Sequence, residues 1–372
     1  MNKHKVGIVG WRGMVGSVLI KRMIEEKDFE KFSTFFFSTS QAGEDCPFRF
    51  SESNKLLDAN NLDDLKKMDI ILTCQGSDFT EKVYPKLRDH SWQGHWIDAA
   101  SFLRMNQDSV IILDPINRNL IDKKLETGNK TWVGGNCTVS LMLLAINGLI
   151  KENIVEWVSS MTYQAASGAG ANNMRELLKQ MGYLHQSVSE LLEDKNGSIL
   201  EIDQTITNTF QDQSFPKENF LVPLAGSLIP WIDGDLGGGL SKEEWKGHNE
   251  TLKILDHHYD PIKVDGLCVR IGTMRCHSQA LTIKLNQNLS EDDILDKISN
   301  GNEWVKVISN NRDETIQNLS PAKVSGKLDI LVGRVRKLKL DENIVSLFTI
   351  GDQLLWGAAE PLRRILSIIT AK

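Results

Sequence analysis

The N-terminal stretch limits the possible folds more than any other part of the chain. An apolar run at residues 5–9, typical of a short strand, is followed by a turn with glycines at 10, 13 and 16, and then by an amphipathic helix pattern at residues 17–26. Glycine permits a tight turn, close approach of a phosphate to backbone amides, and close packing of helix on strand. This order predicts a parallel Rossmann-like sheet that binds a dinucleotide. The spacing G-x-x-G-x-x-G is not the commoner G-x-G-x-x-G, so a tight turn without a ligand is the alternative.

The end of the second predicted strand bears on the choice of cofactor. Residues 34–37 are strand-like, and the hydroxyl side chains of Ser38, Thr39 and Ser40 follow them. An NAD-preferring site usually carries an acidic residue here, which hydrogen-bonds the ribose 2′-hydroxyl. Hydroxyl groups with Arg12 in the nearby turn suit a 2′-phosphate instead, because the guanidinium attracts it and no carboxylate repels it. We predict NADP as the cofactor; an ordinary polar turn is the alternative.

The same sheet continues along the chain. Further strands are predicted at residues 68–76, 96–101, 110–115 and 131–133. Gln75 and Arg104 follow strand ends, where open parallel sheets bind ligands, so Arg104 is a candidate to bind an anion. A solvated surface arginine is the alternative for Arg104, and Cys74 is predicted to be a core residue. An amphipathic helix is predicted at residues 348–366 and should pack back on this sheet.

A cysteine follows the sheet in an unusual setting. Gly134, Gly135 and Asn136 form a predicted turn, and Cys137 precedes the apolar helix pattern at residues 139–146. Cys137 would then lie in the first turn of this helix, where unpaired N–H groups and the helix dipole favour negative charge. The thiolate is the nucleophilic form of cysteine. We interpret Cys137 as a covalent catalyst; a small cysteine that only packs is the alternative.

Beyond Cys137 the pattern indicates a second domain. Its predicted segments are a strand at 155–163, a turn of small residues at 164–171, a long amphipathic helix at 172–192 and a loop-rich segment at 208–244. Ser241 is predicted to cap a short helix. On that helix Glu243 and Lys246 are three residues apart and share a face. They would either contact one ligand together or form an exposed ion pair.

Two later strands carry a second candidate group. They are predicted at residues 267–271 and 276–285, and His277 has the same alternation as the apolar residues of its strand. Cys276 would therefore point the other way. A histidine and Arg270 directed into a domain interior suggest acid/base chemistry beside an anion site.

A metal site is not predicted. Cysteines and histidines are close in sequence at His257, His258, Cys268, Cys276 and His277. Their spacings match no structural zinc pattern.

The length, net charge and cysteine count limit the class of protein further. The 372 residues are enough for two domains, and the 43 basic and 49 acidic residues give a net charge of −6, which argues against a nucleic-acid partner. The five cysteines are odd in number and unevenly spaced, so reduced thiols in a cytoplasmic protein are expected. We find no secretory signal, and no apolar run long enough to span a membrane.

Taken together, the motifs resemble one enzyme family along the whole chain. They are Gly-Trp-Arg-Gly-Met-Val-Gly at 10–16, Phe-Phe-Ser-Thr-Ser-Gln at 36–41, Gly-Gly-Asn-Cys-Thr-Val-Ser-Leu-Met-Leu at 134–143, Tyr-Gln-Ala-Ala-Ser-Gly at 163–168, Glu-Glu-Trp-Lys-Gly at 243–247, Arg-Cys-His-Ser-Gln at 275–279, and the segments 223–233, 264–272 and 351–364. This set resembles the aspartate-semialdehyde dehydrogenases of bacteria, in their proteobacterial form. The polar segment 194–197 departs from the proline-containing version of close relatives, and no cofactor contact is assigned to it.

The resemblance implies an overall architecture. It is a two-domain α/β protein with an N-terminal Rossmann-like NADP-binding domain at residues 1–135, completed by a C-terminal helix at about 354–372. An α+β catalytic and dimerisation domain would occupy residues 136–353, as in proteins of the glyceraldehyde-3-phosphate dehydrogenase type. A cytoplasmic homodimer is implied as well.

The resemblance also implies a role for each matching residue. Cys137 would be the nucleophile and His277 the acid/base, while Gln164 would orient the acyl carbonyl. Arg270 and Glu243 would hold the α-carboxylate and the α-amino group of the substrate. Phosphate would be bound by Arg104 and Lys246 together with Asn136. The implied NADP(H) contacts are Arg12, Gly13, Met14, Val15, Thr39, Ser40, Gln75, Ser167, Gly168 and Gln353.

The implied reaction is the reversible, NADPH-dependent conversion of L-aspartyl 4-phosphate to L-aspartate 4-semialdehyde and phosphate through a cysteine thioester. It would serve the synthesis of lysine and diaminopimelate, threonine, methionine and isoleucine. One rival is an N-acetyl-glutamyl-phosphate reductase, whose substrate has no free amine for Glu243 to bind. Another is an inactive NADP-binding relative that acts as a sensor or assembly partner, which would have no need of the four residues Cys137, Gln164, Arg270 and His277 together.

Overall fold

A computed structural model of the chain describes residues 3–194, 196–256 and 261–371, and these residues form two sheets of seven strands each. All strands of the first sheet are parallel, in the order β3-β2-β1-β4-β5-β7-β6. They are β1 (Lys5–Val9), β2 (Ser33–Ser38), β3 (Leu57–Asp58), β4 (Ile70–Thr73), β5 (His95–Asp98), β6 (Ser109–Ile112) and β7 (Thr131–Gly134). The helices between them are α1 (Met14–Glu25), α2 (Leu62–Leu65), α3 (Ser77–Asp89) and α4 (Asp114–Glu126).

The start of the chain confirms the predicted Rossmann-like sheet. Gly10 has a φ of +75°, a conformation that favours glycine, and a Cβ added to Gly16 would overlap the carbonyl oxygen of Gly10. Strand β1 pairs with β2 on one side and β4 on the other, so the strand order reverses at β1. In open parallel sheets this reversal opens a crevice at the carboxyl ends of the strands. The glycine turn after β1 lies at that crevice.

The second sheet is mixed, in the order β12-β13-β14-β11-β8-β10-β9. Its strands are β8 (Val155–Gln164), β9 (Leu228–Ile229), β10 (Lys263–Ile271), β11 (His277–Leu285), β12 (Val305–Val307), β13 (Ile330–Lys337) and β14 (Ile344–Gly351). The helices of this half are α5 (Cys137–Ala145), α6 (Asn147–Lys151), α7 (Ala171–Glu193), α8 (Ile199–Phe210), α9 (Lys242–Leu255), α10 (Glu291–Ser299), α11 (Arg312–Asn318) and α12 (Pro321–Val324). Strand β8 lies between β10 and β11, pairing parallel with the first and antiparallel with the second.

Helix α5 is the element that positions the cysteine. It is apolar on all sides and lies in the core beneath the second sheet, as a helix without a polar face must. Asn136 caps it: the Asn136 side-chain oxygen accepts the N–H groups of Thr138 at 2.9 Å and Val139 at 3.2 Å. The helix therefore begins at Cys137, as predicted from the sequence.

The helix predicted at residues 348–366 is wrong for residues 348–351. The segment up to Gly351 is strand β14, which pairs antiparallel with β11 and buries alternate residues. A single turn of π-helix (Leu355–Ala359) follows, and then α13 (Glu360–Thr370). The apolar side chains of α13 pack against α1 and against strands β5, β6 and β7 of the first sheet, as predicted for the C-terminal helix. Pairing with β11 overrides the local helical pattern at 348–351, since apolar residues there satisfy either period.

Candidate functional site

A cleft of about 560 Å³ is lined by residues of both halves of the chain. The sequence-predicted site residues that line it are Val15, Arg104, Asn136, Cys137, Gln164, Ser167, Gly168, Glu243, Lys246, Arg270 and Gln353. A second pocket, of about 310 Å³, lies at the glycine turn. It is lined by five of the predicted cofactor contacts: Arg12, Gly13, Thr39, Ser40 and Gln75. Met14 and His277 are not among the residues that line these two spaces.

The second pocket has the chemistry of a nucleotide site. The Arg12 guanidinium donates from Nη2 to the Ser40 hydroxyl at 2.8 Å, and both side chains are exposed. The Trp11 indole donates to the Phe37 carbonyl at 3.1 Å, which ties the glycine turn to the end of β2. The first N–H groups of α1 have no partner within the helix and face this turn. The residues present therefore fit a dinucleotide with a phosphate near Arg12.

Glu243 lines the large cleft and hydrogen-bonds to three other residues that line it. Ser241 caps α9 through a reciprocal pair of hydrogen bonds, which fixes the start of the helix. The Glu243 carboxylate accepts from Asn136 Nδ2 at 2.9 Å, Gln164 Nε2 at 3.2 Å and Lys246 Nζ at 3.0 Å. Burial alone would raise the pKa of Glu243, but Lys246 and the two amide hydrogen bonds lower it below its usual value. Glu243 is therefore ionised, and it connects three other residues of the cleft.

Three cations converge on this cleft, and each is anchored. Lys246 also donates to Asp233 Oδ2 at 2.5 Å, and its two carboxylate partners raise its pKa despite burial. Arg270 is buried and donates from Nη1 to the Ala165 carbonyl at 2.7 Å. Burial lowers the pKa of Arg270, opposed by nearby Cys137 and Glu243. Arg104, the third, pairs with a buried carboxylate of α9. Cations held in this way keep a fixed orientation and need not reorganise when an anionic ligand binds.

The resting state of Cys137 differs from the sequence-based expectation. Its side chain is half-buried and lines the cleft. Burial and the Glu243 carboxylate raise the pKa of Cys137 to about 12, although Arg270 and Lys246 act in the opposite direction. Removal from water and the Glu243 charge therefore disfavour the thiolate more than the nearby cations favour it.

This protonation state predicts the pH dependence of alkylation. In the protein without substrate, the rate of Cys137 modification by iodoacetamide should rise about tenfold per pH unit between about pH 7 and pH 9, since the thiolate fraction does so below the pKa. Mass spectrometry of the Cys137 peptide measures this rate separately from the other cysteines. A rate that levels off below about pH 8 would instead show the acidic thiol expected from the sequence.

His277 lies directly behind the cleft wall. It is the first residue of β11 and fully buried, and its Nδ1 accepts the Ala165 N–H at 3.1 Å. The ring proton is therefore on Nε2, and within the described residues Nε2 has no hydrogen-bond partner. Burial and the Arg270 charge lower the pKa of His277 well below its usual value, so the imidazole is neutral. Cys276 precedes β11 with a φ of +75° and packs in an apolar cluster that does not include His277.

Gly168 lines the cleft and, because it has no side chain, leaves room for His277 and Arg270 directly beside it. A Cβ at this position would lie 2.8 Å from Arg270 Nη1 and 3.0 Å from His277 Nε2. Contacts this short cannot be accommodated without movement of both side chains. The Ser167 hydroxyl beside it accepts from Gln353 Nε2, and Gln353 Oε1 accepts the Cys276 N–H at 2.9 Å. The loop after β8 is thus tied to both the histidine strand and the C-terminal segment.

Three residues of the site were not predicted from the sequence. Asp233 holds Lys246, and Glu250 bonds Arg104 at 2.9 Å. Gly357, in the π-helical turn, leaves room for the cysteine, because a Cβ there would lie 2.7 Å from Cys137 Cβ. The helical period could have identified Glu250, which is seven residues after Glu243 on the same helix. Asp233 and Gly357 have no comparable local signal.

The structure describes only some of the residues considered above as metal ligands. His257, His258 and Lys195 lie outside the described residues. Among the described ones, no group of three or more His, Cys, Asp or Glu side chains is placed to hold a metal ion. In the same part of the chain no helix has the length and apolar character needed to cross a bilayer.

The Rossmann-like sheet, the glycine turn at its crevice and the cleft lined by a thiol and three cations fit the class of NAD(P)-binding oxidoreductases, and the first domain matches an NAD-binding family model. Residues 5–124 match the family described as semialdehyde dehydrogenase, NAD binding domain, and residues 146–356 match semialdehyde dehydrogenase, dimerisation domain. The chain belongs to the aspartate-semialdehyde dehydrogenase family. It is 50% identical to the aspartate semialdehyde dehydrogenase from Francisella tularensis, with a TM-score of 0.94 over 98% of this chain and 99% of that one.

More distant structures share the fold. Aspartate semialdehyde dehydrogenase II from Vibrio cholerae, solved in complex with ASA, is 22% identical with a TM-score of 0.77 over 100% of this chain and 99% of that one. The Candida albicans enzyme, solved with NADP, is 13% identical with a TM-score of 0.65 over the same shares of the two chains. At these identities the likeness extends to the architecture alone.

Proposed function

We propose that the chain catalyses the reversible, NADPH-dependent conversion of L-aspartyl 4-phosphate to L-aspartate 4-semialdehyde and phosphate. The observation that carries this proposal is the position of Cys137 in a cleft lined by Arg104, Lys246, Arg270 and Glu243. An acyl phosphate of an amino acid carries two anionic groups and one ammonium group. The cleft offers three cations to the anionic groups and the Glu243 carboxylate to the ammonium group, while its second carboxylate, Asp233, is paired with Lys246.

Each substrate group then has a partner. Arg270 would bind the α-carboxylate and Glu243 the α-amino group, while Arg104 and Lys246 would bind the phosphate. Asn136 bonds Glu243 through its side chain, so its contribution to phosphate binding would accompany a rearrangement of that hydrogen bond. Gln164, also bonded to Glu243, would orient the acyl carbonyl.

The second pocket would hold the adenosine end of NADP(H). The exposed Arg12 guanidinium, paired with Ser40, would bind the 2′-phosphate, with Thr39 beside it and Gln75 across the crevice. Met14 and Val15 would supply backbone amides to the pyrophosphate, and Gly13, whose own N–H donates to the Gly10 carbonyl at 3.2 Å, would allow its close approach. Ser167, Gly168 and Gln353 would line the path to the nicotinamide. When bound, NADPH supplies the hydride of the reaction.

The cofactor proposal predicts a selective effect of Arg12→Ala. Loss of one charge-assisted contact with the 2′-phosphate should raise the KM for NADP about 10- to 100-fold and change the KM for NAD by less than about twofold. Steady-state kinetics with both cofactors measure this difference. Lys21→Ala, an exposed residue of α1, is the matched control. Equal losses with NADP and NAD would show that Arg12 does not bind a 2′-phosphate.

The covalent chemistry is assigned to Cys137. Its sulfur would form a bond to the acyl carbon while the bond from that carbon to the phosphate oxygen breaks, and the phosphate that leaves toward Arg104 and Lys246 would take up the thiol proton. Cys137 would hold the acyl group as a thioester until a bound NADPH supplies the hydride, and breakage of the carbon–sulfur bond would then release the aldehyde and the sulfur anion, which regains its proton. His277 Nε2, which carries the ring proton, would donate to the oxygen on the sulfur-bound carbon as negative charge develops there, which is the donating half of its acid/base role.

A homodimer is part of the proposal. The second domain matches a dimerisation domain, and its sheet exposes Met161 and Leu267, apolar side chains that a second copy could cover.

We further propose that the first domain ends at residue 135, that the second begins at residue 136, and that the C-terminal helix completes the first domain. The protein would be cytoplasmic. Its reaction would serve the synthesis of lysine and diaminopimelate, threonine, methionine and isoleucine.

The decisive assay is NADP reduction with aspartate semialdehyde as substrate. Turnover should require inorganic phosphate, because phosphate is the second substrate in this direction. N-acetyl-glutamate semialdehyde should be converted poorly, since its blocked amine cannot pair with Glu243. A preference for the acetylated substrate would favour the reductase alternative, and cofactor binding without turnover on either substrate would favour a sensor.

A further inference from the structure

The structure points to a role for a part of α9 that does not line the cleft. Glu243 and Lys246 of this helix face the cleft, and Glu250 and Lys253 continue the same face at helical spacing. Glu250 is fully buried, and Lys253 is half-buried. Both contact the phosphate-binding candidate Arg104, which belongs to the other half of the chain.

The Glu250 carboxylate accepts hydrogen bonds from two residues that line the cleft, Arg104 and Asn136. Its Oε1 accepts from Arg104 Nη1 at 2.9 Å, and its Oε2 accepts the backbone N–H of Asn136 at 2.7 Å. Arg104 Nε donates to the Gly134 carbonyl at 2.8 Å. The guanidinium is therefore fixed at two points, and the carboxylate that provides one of them also fixes the residue before Cys137.

Lys253 holds the backbone at the same place. Its Nζ donates to the carbonyl oxygens of Arg104 at 2.8 Å and Asn106 at 2.5 Å, and to the Ser109 hydroxyl at 3.0 Å. The loop after β5 that carries Arg104 is thus bound to α9 through its main chain as well as through its charged side chain.

We infer that Glu250 and Lys253 are positioning residues that hold Arg104 in the orientation required to bind phosphate. The inference rests on the proposed function, in which Arg104 and Lys246 bind this anion. Lys246 is already part of α9, so attaching Arg104 to the same helix fixes the spacing of the two cations. An arginine with two of its nitrogens bound loses little further freedom when an anion arrives.

The test measures phosphate binding without turnover. The rise in Tm with inorganic phosphate gives a Kd for wild type, Arg104→Ala, Glu250→Gln and Lys253→Met. The three variants should each bind phosphate at least about tenfold more weakly than wild type, since a charge-assisted contact is lost or misaligned. In turnover, the KM for phosphate should rise in parallel, while the KM for aspartate semialdehyde should change by less than about twofold.

Two further variants separate positioning from general destabilisation. Glu360→Gln removes a buried carboxylate paired with Arg22 and Arg363, outside the cleft, and should lower Tm without changing the Kd for phosphate. Glu250→Gln should add no further loss of phosphate affinity in the Arg104→Ala background, because it acts through that side chain.

The possible failures are distinct. If wild type and Arg104→Ala bind phosphate equally, the proposed phosphate site itself is wrong. If Arg104→Ala weakens binding but Glu250→Gln and Lys253→Met do not, the positioning role is overturned. The positioning role is equally overturned if Glu250→Gln weakens binding as much without Arg104 as with it.

Discussion

Cys137→Ser should lower kcat for phosphate-dependent NADP reduction by about 10³-fold or more, because a serine hydroxyl is a far weaker nucleophile and no base is paired with this side chain among the described residues. The substitution removes no hydrogen bond of the described structure and conserves shape, so Tm should be unchanged. Steady-state kinetics and thermal unfolding of the same preparation measure both quantities.

The matched control for this result is Cys46→Ser. Cys46 is a half-buried cysteine of the first domain that packs beside the sheet core, outside the residues that line the large cleft. Its substitution should leave kcat within about twofold of wild type, as expected for a change away from the reacting atoms. Retention of most activity in Cys137→Ser would remove the covalent mechanism from consideration.

The second large effect is expected at His277, where two substitutions distinguish the ring nitrogens. Asparagine can place its amide oxygen near Nδ1 and so keep the hydrogen bond from the Ala165 N–H, but it provides no donor at Nε2. His277→Asn should therefore fold normally and lose about 10²- to 10³-fold in kcat. Glutamine reaches the Nε2 position with an N–H donor, and His277→Gln should retain more activity but have a lower Tm.

The opposite order of activities would contradict the donor role. A more active asparagine variant would mean that the hydrogen bond at Nδ1, which positions the ring, matters more than the proton on Nε2. The kcat and Tm of each variant must be compared together, since the Ala165 N–H is buried and the loss of its partner costs about 1–3 kcal/mol of stability.

The local elements of the fold could be predicted from the sequence because their signals are local. The glycine turn after β1, the cap at Asn136 and the capping serine of α9 each depend on residues within one or two turns of chain. The segment ending at Gly351 is the exception, because its apolar residues satisfy both a helical and a strand period. Pairing with strands β11 and β13 distinguishes the two.

The contacts of the site, in contrast, join residues that are far apart in the sequence, and no local pattern predicts them. Arg104 and Glu250 are separated by 146 positions in the chain, and no periodicity links them. The resemblance to a known family identified Arg104 but not its partner. The same holds for Asp233 and Gly357, whose roles exist only because loops from different elements meet at the cleft.

Composition and motif order were sufficient to establish which chemical groups this chain can bring to a reaction, since the identity of a thiol, an imidazole or a guanidinium does not depend on folding. The protonation states of those groups depend on it entirely. Burial and the charges around the cleft keep the Cys137 thiol protonated at neutral pH, and the Ala165 N–H places the imidazole proton on Nε2. A pKa reflects solvation and neighbouring charge, and both are created by segments that are distant in sequence.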